Sequence, residues 1–335
     1  MPEAGRERVS ILIAARNEEA NILTCLQAID RLTYPTACLE VLVGNDRSED
    51  GTGSVVEWFI RDKPHFRLVD ITTNVNQQMG KANVLAQLAR QASGRYLFFT
   101  DADVAVPPTW IEGLLPAFRD PRTGIVTGCT QIAGEGFWTK IQAIEWLVTQ
   151  NIIKQFADWN IPLTAMGNNM AVRRAVYEQI GGYEKLPFSL VEDYQLFREV
   201  LKQGYTFAHR YEPAVLASTQ ALPDRRSWMQ QRKRWMVGAF QLPWYFVVLL
   251  VAQALFLPML VLLALWQPGL ALGLWLARFL WQSFQIVRVA VRFRRFDLLP
   301  YLLPYDLVMS VNWFVSLLYY IVPTPVIWKD RTFNP

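Results

Sequence analysis

The sequence is poor in the side chains that carry thiol and soft-metal chemistry. Its two histidines, His65 and His209, stand alone, so a histidine-rich zinc site is not expected. Its three cysteines, Cys25, Cys38 and Cys129, form no CxxC pair and no even-numbered framework, which fits a reducing compartment and argues against a disulfide scaffold. Any metal should therefore have oxygen ligands. Charge is scarce as well: Asp, Glu, Lys and Arg make up 19% of the chain, against about 25% in an ordinary soluble domain. The deficit is local, because no charged residue occurs from Trp235 to Ala277 or from Leu307 to Trp328. Nor is there a long apolar run at the start. Glu3, Arg6, Glu7 and Arg8 precede a first apolar stretch of about six residues, too short for the core of a signal peptide. The charged N-terminal region is thus expected to stay in the cytoplasm.

What remains is a chain of two compositions. Its 335 residues allow one sizeable α/β domain plus a smaller region, at roughly 100–200 residues per domain. The formal net charge is only +4, and the basic residues gather beside the apolar segments. That is a membrane-surface pattern, and no nucleic-acid partner is expected.

In the N-terminal region short apolar runs alternate with helical patterns. Val9–Ala14, Leu39–Gly44, Phe66–Asp70, Tyr96–Thr100 and Gly124–Gly128 read as strands. Asn17–Leu32, Gly51–Arg61, Lys81–Gln91 and Pro108–Phe118 read as helices, the first with Asn17 as its cap and Glu18 and Glu19 in its first turn. The alternation predicts a doubly wound, mostly parallel sheet with right-handed crossovers. Ligands of such sheets sit beyond the carboxyl ends of the strands. Those ends carry Ala14 to Glu18, Asn45-Asp46 and Asp101-Ala102-Asp103, and Gly80-Lys81 opens a helix nearby.

Asp101 and Asp103 are one small residue apart, so on an extended backbone both carboxylates face one side and can reach a single hard cation. The alternative is that one caps the following helix and the other is solvated. Asp46 can accept an N–H from a nucleobase, although Asn45-Asp46-Arg47-Ser48 is also a good turn. Lys81 offers an ammonium beside free backbone N–H groups at a helix start, a place for phosphate oxygens, or is a solvated surface lysine. Glu192 and Asp193 head another helix, where acidic residues also occur for dipole reasons alone. Gln230 to Trp235 can be a juxtamembrane basic cluster, but that leaves Gln231, three before Arg234-Trp235, unexplained. No glycine-rich loop follows the first strand, which leaves a nucleotidyltransferase without support.

The ordered set Ala14–Glu18, Asp46, Gly80-Lys81, Asp101-x-Asp103, Glu192-Asp193 and Gln231-x-x-Arg234-Trp235 resembles the D, DxD, ED, QxxRW series of membrane-bound family 2 glycosyltransferases. That group includes the cellulose, chitin and hyaluronan synthases and ceramide glucosyltransferase. The resemblance runs from about Val9 to Trp235. It implies a GT-A fold, a UDP-sugar donor and inversion at the anomeric carbon. It further implies that Asp46 meets the uracil, that Ala14, Arg16 and Glu18 line the donor pocket, and that Asp101 and Asp103 bind Mg²⁺ or Mn²⁺ with Lys81 nearby. By the same resemblance Asp193 is the general base, and Glu192, Gln231, Arg234 and Trp235 close over donor and acceptor. Met166 to Met170 falls on the acceptor side. Two departures stand out: Arg16 replaces a frequent aromatic, and no apolar segment precedes the first strand.

The expected division is a cytoplasmic GT-A domain over residues 1–238 and a membrane region over 239–335, with apolar segments at about 242–266, 269–287 and 301–328. The last is interrupted late, by Pro323 and Pro325. Arg278, Gln282, Gln285, Arg288, Arg292 and Arg295 share one helical face, so the second segment either lies at the surface or leaves the membrane by its basic end. The positive-inside rule puts Arg288 to Arg295 in the cytoplasm and the tail after Trp328 outside. Three segments are few for a translocation channel, which favours a lipid acceptor over a growing polysaccharide. A non-catalytic, membrane-tethered sugar-nucleotide-binding subunit is the remaining alternative, against which the intact carboxylates argue.

Overall fold

The computed structural model describes residues 6–322, 324–328 and 331–333. Pro323 and part of the tail after Trp328 thus lie outside the described residues, as does Glu3. The chain divides into two compact units: residues 1–131 with 152–220, and residues 132–151 with 221–335. The expected boundary at residue 238 differs from this division, in which residues 221–238 group with the apolar helices.

In the first unit the chain runs β1 (Val9–Ala15), α1 (Ile22–Asp30), β2 (Leu39–Asn45), α2 (Thr52–Ile60), β3 (Phe66–Asp70), α3 (Gly80–Gln91), β4 (Tyr96–Asp101), α4 (Trp110–Leu114), β5 (Thr123–Thr127) and the start of β6 (Cys129–Ala133), whose last two residues fall in the second unit. Helix α5 (Phe137–Asp158) starts in the second unit and ends in the first. After it come β7 (Asn169–Arg173), α6 (Arg174–Gln179), α7 (Gly182–Lys185), α8 (Glu192–Lys202), β8 (Thr206–His209) and β9 (Leu216–Gln220).

Seven strands form one sheet in the order β3-β2-β1-β4-β7-β5-β8. Strands β1 to β4 are mutually parallel, β7 is antiparallel to both β4 and β5, and β5 is parallel to β8. The sheet is therefore mostly parallel, with one reversed strand. Its middle is dry because the strands carry near-continuous apolar runs: Ile11, Leu12, Ile13, Leu97, Phe98 and Phe99 are wholly buried. Each such side chain contributes about 1.5–3 kcal/mol relative to exposure. Asn169, at the head of β7, is also wholly buried and fully employed. It accepts from Trp110 Nε1 at 2.8 Å and donates from Nδ2 to the carbonyls of Cys129 and Val215 at 2.7 and 2.9 Å. This asparagine is a buried structural hub.

Two helices differ from the sequence reading. Helix α1 starts at Ile22 with Asn21 as its cap, while Asn17 sits at φ 50°, in left-handed backbone that ends the strand instead of opening a helix. Glu18 and Glu19 are therefore loop residues, their N–H groups donating to Thr52 Oγ1 and Asp50 Oδ2. The helix expected over Pro108–Phe118 is α-helical only through Leu114 and continues as 3₁₀ over Leu115–Arg119, where Pro116 lacks the N–H that an α-helix would use.

The second unit holds the first part of α5, then α9 (Arg225–Ala239), α10 (Trp244–Ala264), α11 (Pro268–Phe293), α12 (Leu302–Ile321) and a hairpin of β10 (Val326–Trp328) with β11 (Arg331–Phe333). Three helical stretches, Trp244–Ala264, Pro268–Phe293 and Phe296–Ile321, are long and apolar enough to cross a membrane. At 1.5 Å per residue the first is about 31 Å long, close to the ~30 Å hydrocarbon thickness. Helix α11 is continuous, and its polar stripe is divided. Arg278 donates to Asp306 Oδ1 at 2.6 Å and to Ser310 Oγ at 2.9 Å; Gln282 and Trp275 donate to the same aspartate at 3.2 and 2.9 Å. Gln285 is buried, whereas Arg288 and Arg292 are exposed near the helix end.

Candidate functional site

The register of the sheet brings the strand ends together. Ala14 pairs with Gly44 on one side and Asp101 on the other, and Ala15 pairs with Asn45, so Asp46 and Asp101 flank the end of β1. Strand order reverses at β1, which makes this rim the expected crevice of an open α/β sheet. Asp46 is buried, and its N–H donates to the Ala15 carbonyl at 2.9 Å. Arg16 reaches across, Nη1 donating to the carbonyls of Asp46 and Arg47 at 2.9 and 3.1 Å. The guanidinium thus clamps the loop after β2, a role that the departure from an aromatic did not suggest. Glu18, buried behind it, accepts from Asn21 Nδ2 at 2.9 Å.

Lys81 lies at the first turn of α3. The preceding turn ends in Gly80 at φ 58°, a left-handed backbone that favours glycine. Asn83, wholly buried, holds that turn by accepting from the Val75 N–H at 2.9 Å and donating to the Thr73 carbonyl at 3.0 Å. The Lys81 ammonium lies 2.5 Å from Asp101 Oδ1 and 3.2 Å from Glu192 Oε1. Burial opposes its charge, but Asp101, Glu192 and Asp193 outweigh burial and hold the ammonium above its ordinary range. One cation thereby joins the end of β4 to the head of α8.

Asp193 is next to Glu192 in the first turn of α8, and its Oδ2 accepts the Gly167 N–H at 2.8 Å. Burial and the Glu192 charge raise its pKa to about 6, against the lowering effects of Lys81 and the Gly167 and Tyr194 N–H groups. A carboxyl so placed is mostly ionised at neutral pH yet a stronger base than an ordinary carboxylate, the range useful for accepting a proton. Gly167 approaches it closely: a methyl group there would lie 2.9 Å from Asp193 Cβ and 3.1 Å from Oδ2. Gly167→Ala is expected to displace the carboxylate and lower turnover by about tenfold or more, as misplaced catalytic groups do, with donor KM little changed; steady-state kinetics of the variant check this. Gly167 was flagged only as part of Met166–Met170, and its N–H contact had no signal in sequence.

Asp103 is exposed, accepting from Thr219 Oγ1 at 3.3 Å, and the segment between them is pinned by paired backbone bonds of Ala105 with Ser218 at 2.8 Å. Among the described residues, no group of three His, Cys, Asp or Glu side chains could hold a metal ion by itself. Asp101 and Asp103 offer hard oxygen donors that suit Mg²⁺ or Mn²⁺, provided a ligand supplies the rest of the shell.

Gln231, Arg234 and Trp235 belong to the second unit, on α9. They recur at steps of three and one, so they share a helix face and all are half-buried. The neighbouring basic residues are not a solvated cluster. Lys233 is buried, donating to the Val322 carbonyl at 2.8 Å and Thr324 Oγ1 at 2.6 Å. Arg232 is buried too, ion-paired with Glu145 of α5, its guanidinium 4.6 Å from the Trp235 ring centre. Burial pushes Glu145 up and Arg232 down, each opposed by the charge of the other. Trp146 packs against Trp235 with ring centres 5.6 Å apart.

The chain is 32% identical over 239 residues to a probable glycosyltransferase, YdaM, of Bacillus subtilis, covering 69% of this chain and 55% of that protein. It is 25% identical over 236 residues to a beta-monoglucosyldiacylglycerol synthase of Synechocystis, covering 70% and 48%. The chain thus spans about half the length of these curated relatives. A mannosyltransferase of Pyrobaculum calidifontis, solved with GDP-Man and Mn²⁺, shares the fold at a TM-score of 0.57 and 22% identity, over 92% of this chain and 88% of that one. The model of glycosyl transferase family 21 matches residues 1–334, and with the GT-A arrangement of the first unit this makes the chain a member of that family.

Proposed function

We propose that the protein moves a sugar from a UDP-sugar to the hydroxyl of a membrane lipid, with inversion at the anomeric carbon. The observation that carries this reading is the Asp101–Lys81–Glu192 bridge beside Asp193, which gathers phosphate-facing charge and a proton acceptor on one rim. In this reading the uracil meets Asp46, in a pocket bordered by Ala14, Arg16 and Glu18. The diphosphate lies toward Lys81 and the free N–H groups opening α3. Asp193 takes the proton of the acceptor hydroxyl as its oxygen bonds to the anomeric carbon; the bond from that carbon to the diphosphate breaks and UDP leaves. Asp101 and Asp103 would hold Mg²⁺ or Mn²⁺, which would supply positive charge to offset that of the departing diphosphate.

The acceptor class draws support from the three apolar helices and from the glucosyldiacylglycerol product in a relative's name. Those helices cross the bilayer in this reading, with the first unit on the cytoplasmic face. The test is incubation of membranes with a panel of UDP-sugars, reading UDP release and the mass of the product. One UDP-sugar should give a single glycolipid. No release from any donor with either Mg²⁺ or Mn²⁺ would overturn the proposal in favour of a non-catalytic subunit, and a ladder of long polymer would redirect it to a polysaccharide synthase. Asp103→Ala is expected to abolish metal-stimulated UDP release in a protein that still folds and reaches the membrane; parental release would remove Asp103 from the cation.

A further inference from the structure

Both ends of helix α12 are fastened to the polar helices α5 and α9. At its end, Lys233 of α9 donates to the Val322 carbonyl at 2.8 Å and to Thr324 Oγ1 at 2.6 Å. Gln230 Nε2 of α9 donates to the Tyr319 hydroxyl at 2.8 Å, and the Tyr320 ring stacks on Phe240, just after α9, with centres 4.7 Å apart. At its start, Tyr301 packs on Phe137 of α5, while Asp297 meets Lys140 of α5 at 2.8 Å and Arg295 at 2.9 Å. Lys140 also meets the exposed Glu135 at 2.8 Å. The two ends are joined to each other, because Glu145, further along α5, pairs with Arg232 beside Lys233. A ladder of charged side chains therefore follows α12 from one end to the other. The outer face of the helix is opposite in character. Leu303, Leu307, Val311 and Leu318 are exposed at spacings that form one stripe, whereas Asp306, Ser310, Asn312 and Ser316 are buried.

We propose that α12 does not cross the bilayer but lies flat in the leaflet on the α9 side, its Leu303–Leu318 stripe in the acyl chains, and that the chain after it stays on that side. A crossing α12, with 20 residues and a length of about 30 Å, would put its two ends on opposite surfaces. Lys140, Glu145, Arg232 and Lys233 would then run through hydrocarbon, where charge is costly, and Glu135 would face it unshielded. Nor can the Lys140 end lie across a bilayer from β6. Only residues 134–136 separate that strand from α5, a reach of roughly 10–14 Å. The Phe240–Tyr320 stack fixes the count as well: the chain before α10 and the chain after α12 share a face, so the crossings between them are even in number. Helices α10 and α11 supply two, and the basic end of α11 returns to the α9 side, where Arg295 meets Asp297. The three crossings of the reading above thus become two, and the tail after Trp328, expected outside, lies on the α9 side. Because the buried edge of α12 is polar and its open edge aliphatic, the partner of this surface is the acyl region of one leaflet. The inference goes beyond the transferase reading and does not depend on it.

The test uses the full chain in sealed membrane vesicles, with one cysteine added at a time and a membrane-impermeant maleimide supplied from either side. Cys25, Cys38 and Cys129 are buried, and the parent chain sets the background. Arg226→Cys on α9 and Pro325→Cys after α12, both at exposed positions, are expected to react from the same side. Gln267→Cys, exposed in the turn between α10 and α11, should react from the other. Pro325→Cys reacting from the side of Gln267→Cys would overturn the proposal, as would Gln267→Cys reacting from the side of Arg226→Cys. Nitroxides attached through Leu303→Cys, Val311→Cys and Leu318→Cys give a second readout that does not involve the tail. A flat helix holds all three at one depth within about 5 Å, whereas a crossing one sinks Val311→Cys about 10 Å below the other two, at 1.5 Å per residue. That sunken profile would overturn the proposal even if the maleimide pattern agreed with it. Absence of UDP release with any donor, with both readouts as expected, would sink the transferase reading and leave the flat helix standing.

Discussion

Asp193→Asn is expected to lower turnover by at least about 10²-fold, the range for loss of a general base, while donor binding stays near the parent's. The amide has almost the shape of the carboxylate and can still accept the Gly167 N–H, now 2.8 Å from Oδ2. What it cannot do is take a proton. The pH profile gives a second readout. Burial and the charge of Glu192 raise the pKa of Asp193 to about 6, so parental turnover should fall on acidifying through that value and be nearly flat above it. The stability effect runs the other way. A carboxyl whose folded value exceeds its unfolded one favours the fold while protonated, and that contribution disappears as pH rises from the unfolded value of 3.8 through about 6. At neutral pH the asparagine variant should therefore melt no lower than the parent. Turnover within a few-fold of parental would remove Asp193 from the proposed role; a lowered melting point would instead point to misfolding.

The largest stability effect is expected at Asp306→Ala. Asp306 is wholly buried on α12 and accepts from Arg278, Trp275 and Gln282 of α11, at 2.6, 2.9 and 3.2 Å. Removing it strands the Arg278 guanidinium among apolar helices, whose loss of a partner should cost about 3–5 kcal/mol. Replacing both residues, as Arg278→Leu with Asp306→Leu, removes the stranded charge and should recover most of the loss. Thermal unfolding in one detergent, compared across parent, single and double variants, reads this. A single variant as stable as the parent would show that Arg278 finds water or another partner.

Parallel strands were legible because β1, β2 and β4 are near-continuous apolar runs, broken only by Ser10 and Glu40 and closed by polar residues, and β3 matches Phe66–Asp70 to the residue. The reversed strand β7 was not, because Asn169–Arg173 is short and its antiparallel pairing depends on strands distant in the chain. At the rim, the ordered carboxylates pointed to Asp46, Asp101 and Glu192-Asp193, and the sheet register together with Lys81 explains their meeting. Three contacts left no trace in the sequence: the Arg16 clamp, the Gly167 N–H on Asp193, and the Glu145 partner of Arg232. Each joins positions tens of residues apart, and backbone donors and acceptors have no residue-type signature. The basic run at Gln230–Trp235 shows the opposite failure. Its charges read as interfacial, yet tertiary packing buries Arg232 and Lys233 with partners of their own.

The reversed strand also sets a timetable for synthesis. β5 and β8 join the sheet only through β7, and β4 has no second neighbour until β7 arrives. The chain between the end of β4 and the end of β7 is about 70 residues, or roughly 4–14 s at ribosomal rates of about 5–20 residues per second. For that interval the growing protein presents an unpaired edge rich in buried-type side chains, Leu97, Phe98 and Phe99, to whatever is nearby. A nascent chain stalled in this window should be the form most readily captured by a holdase, and release should coincide with emergence of Arg173.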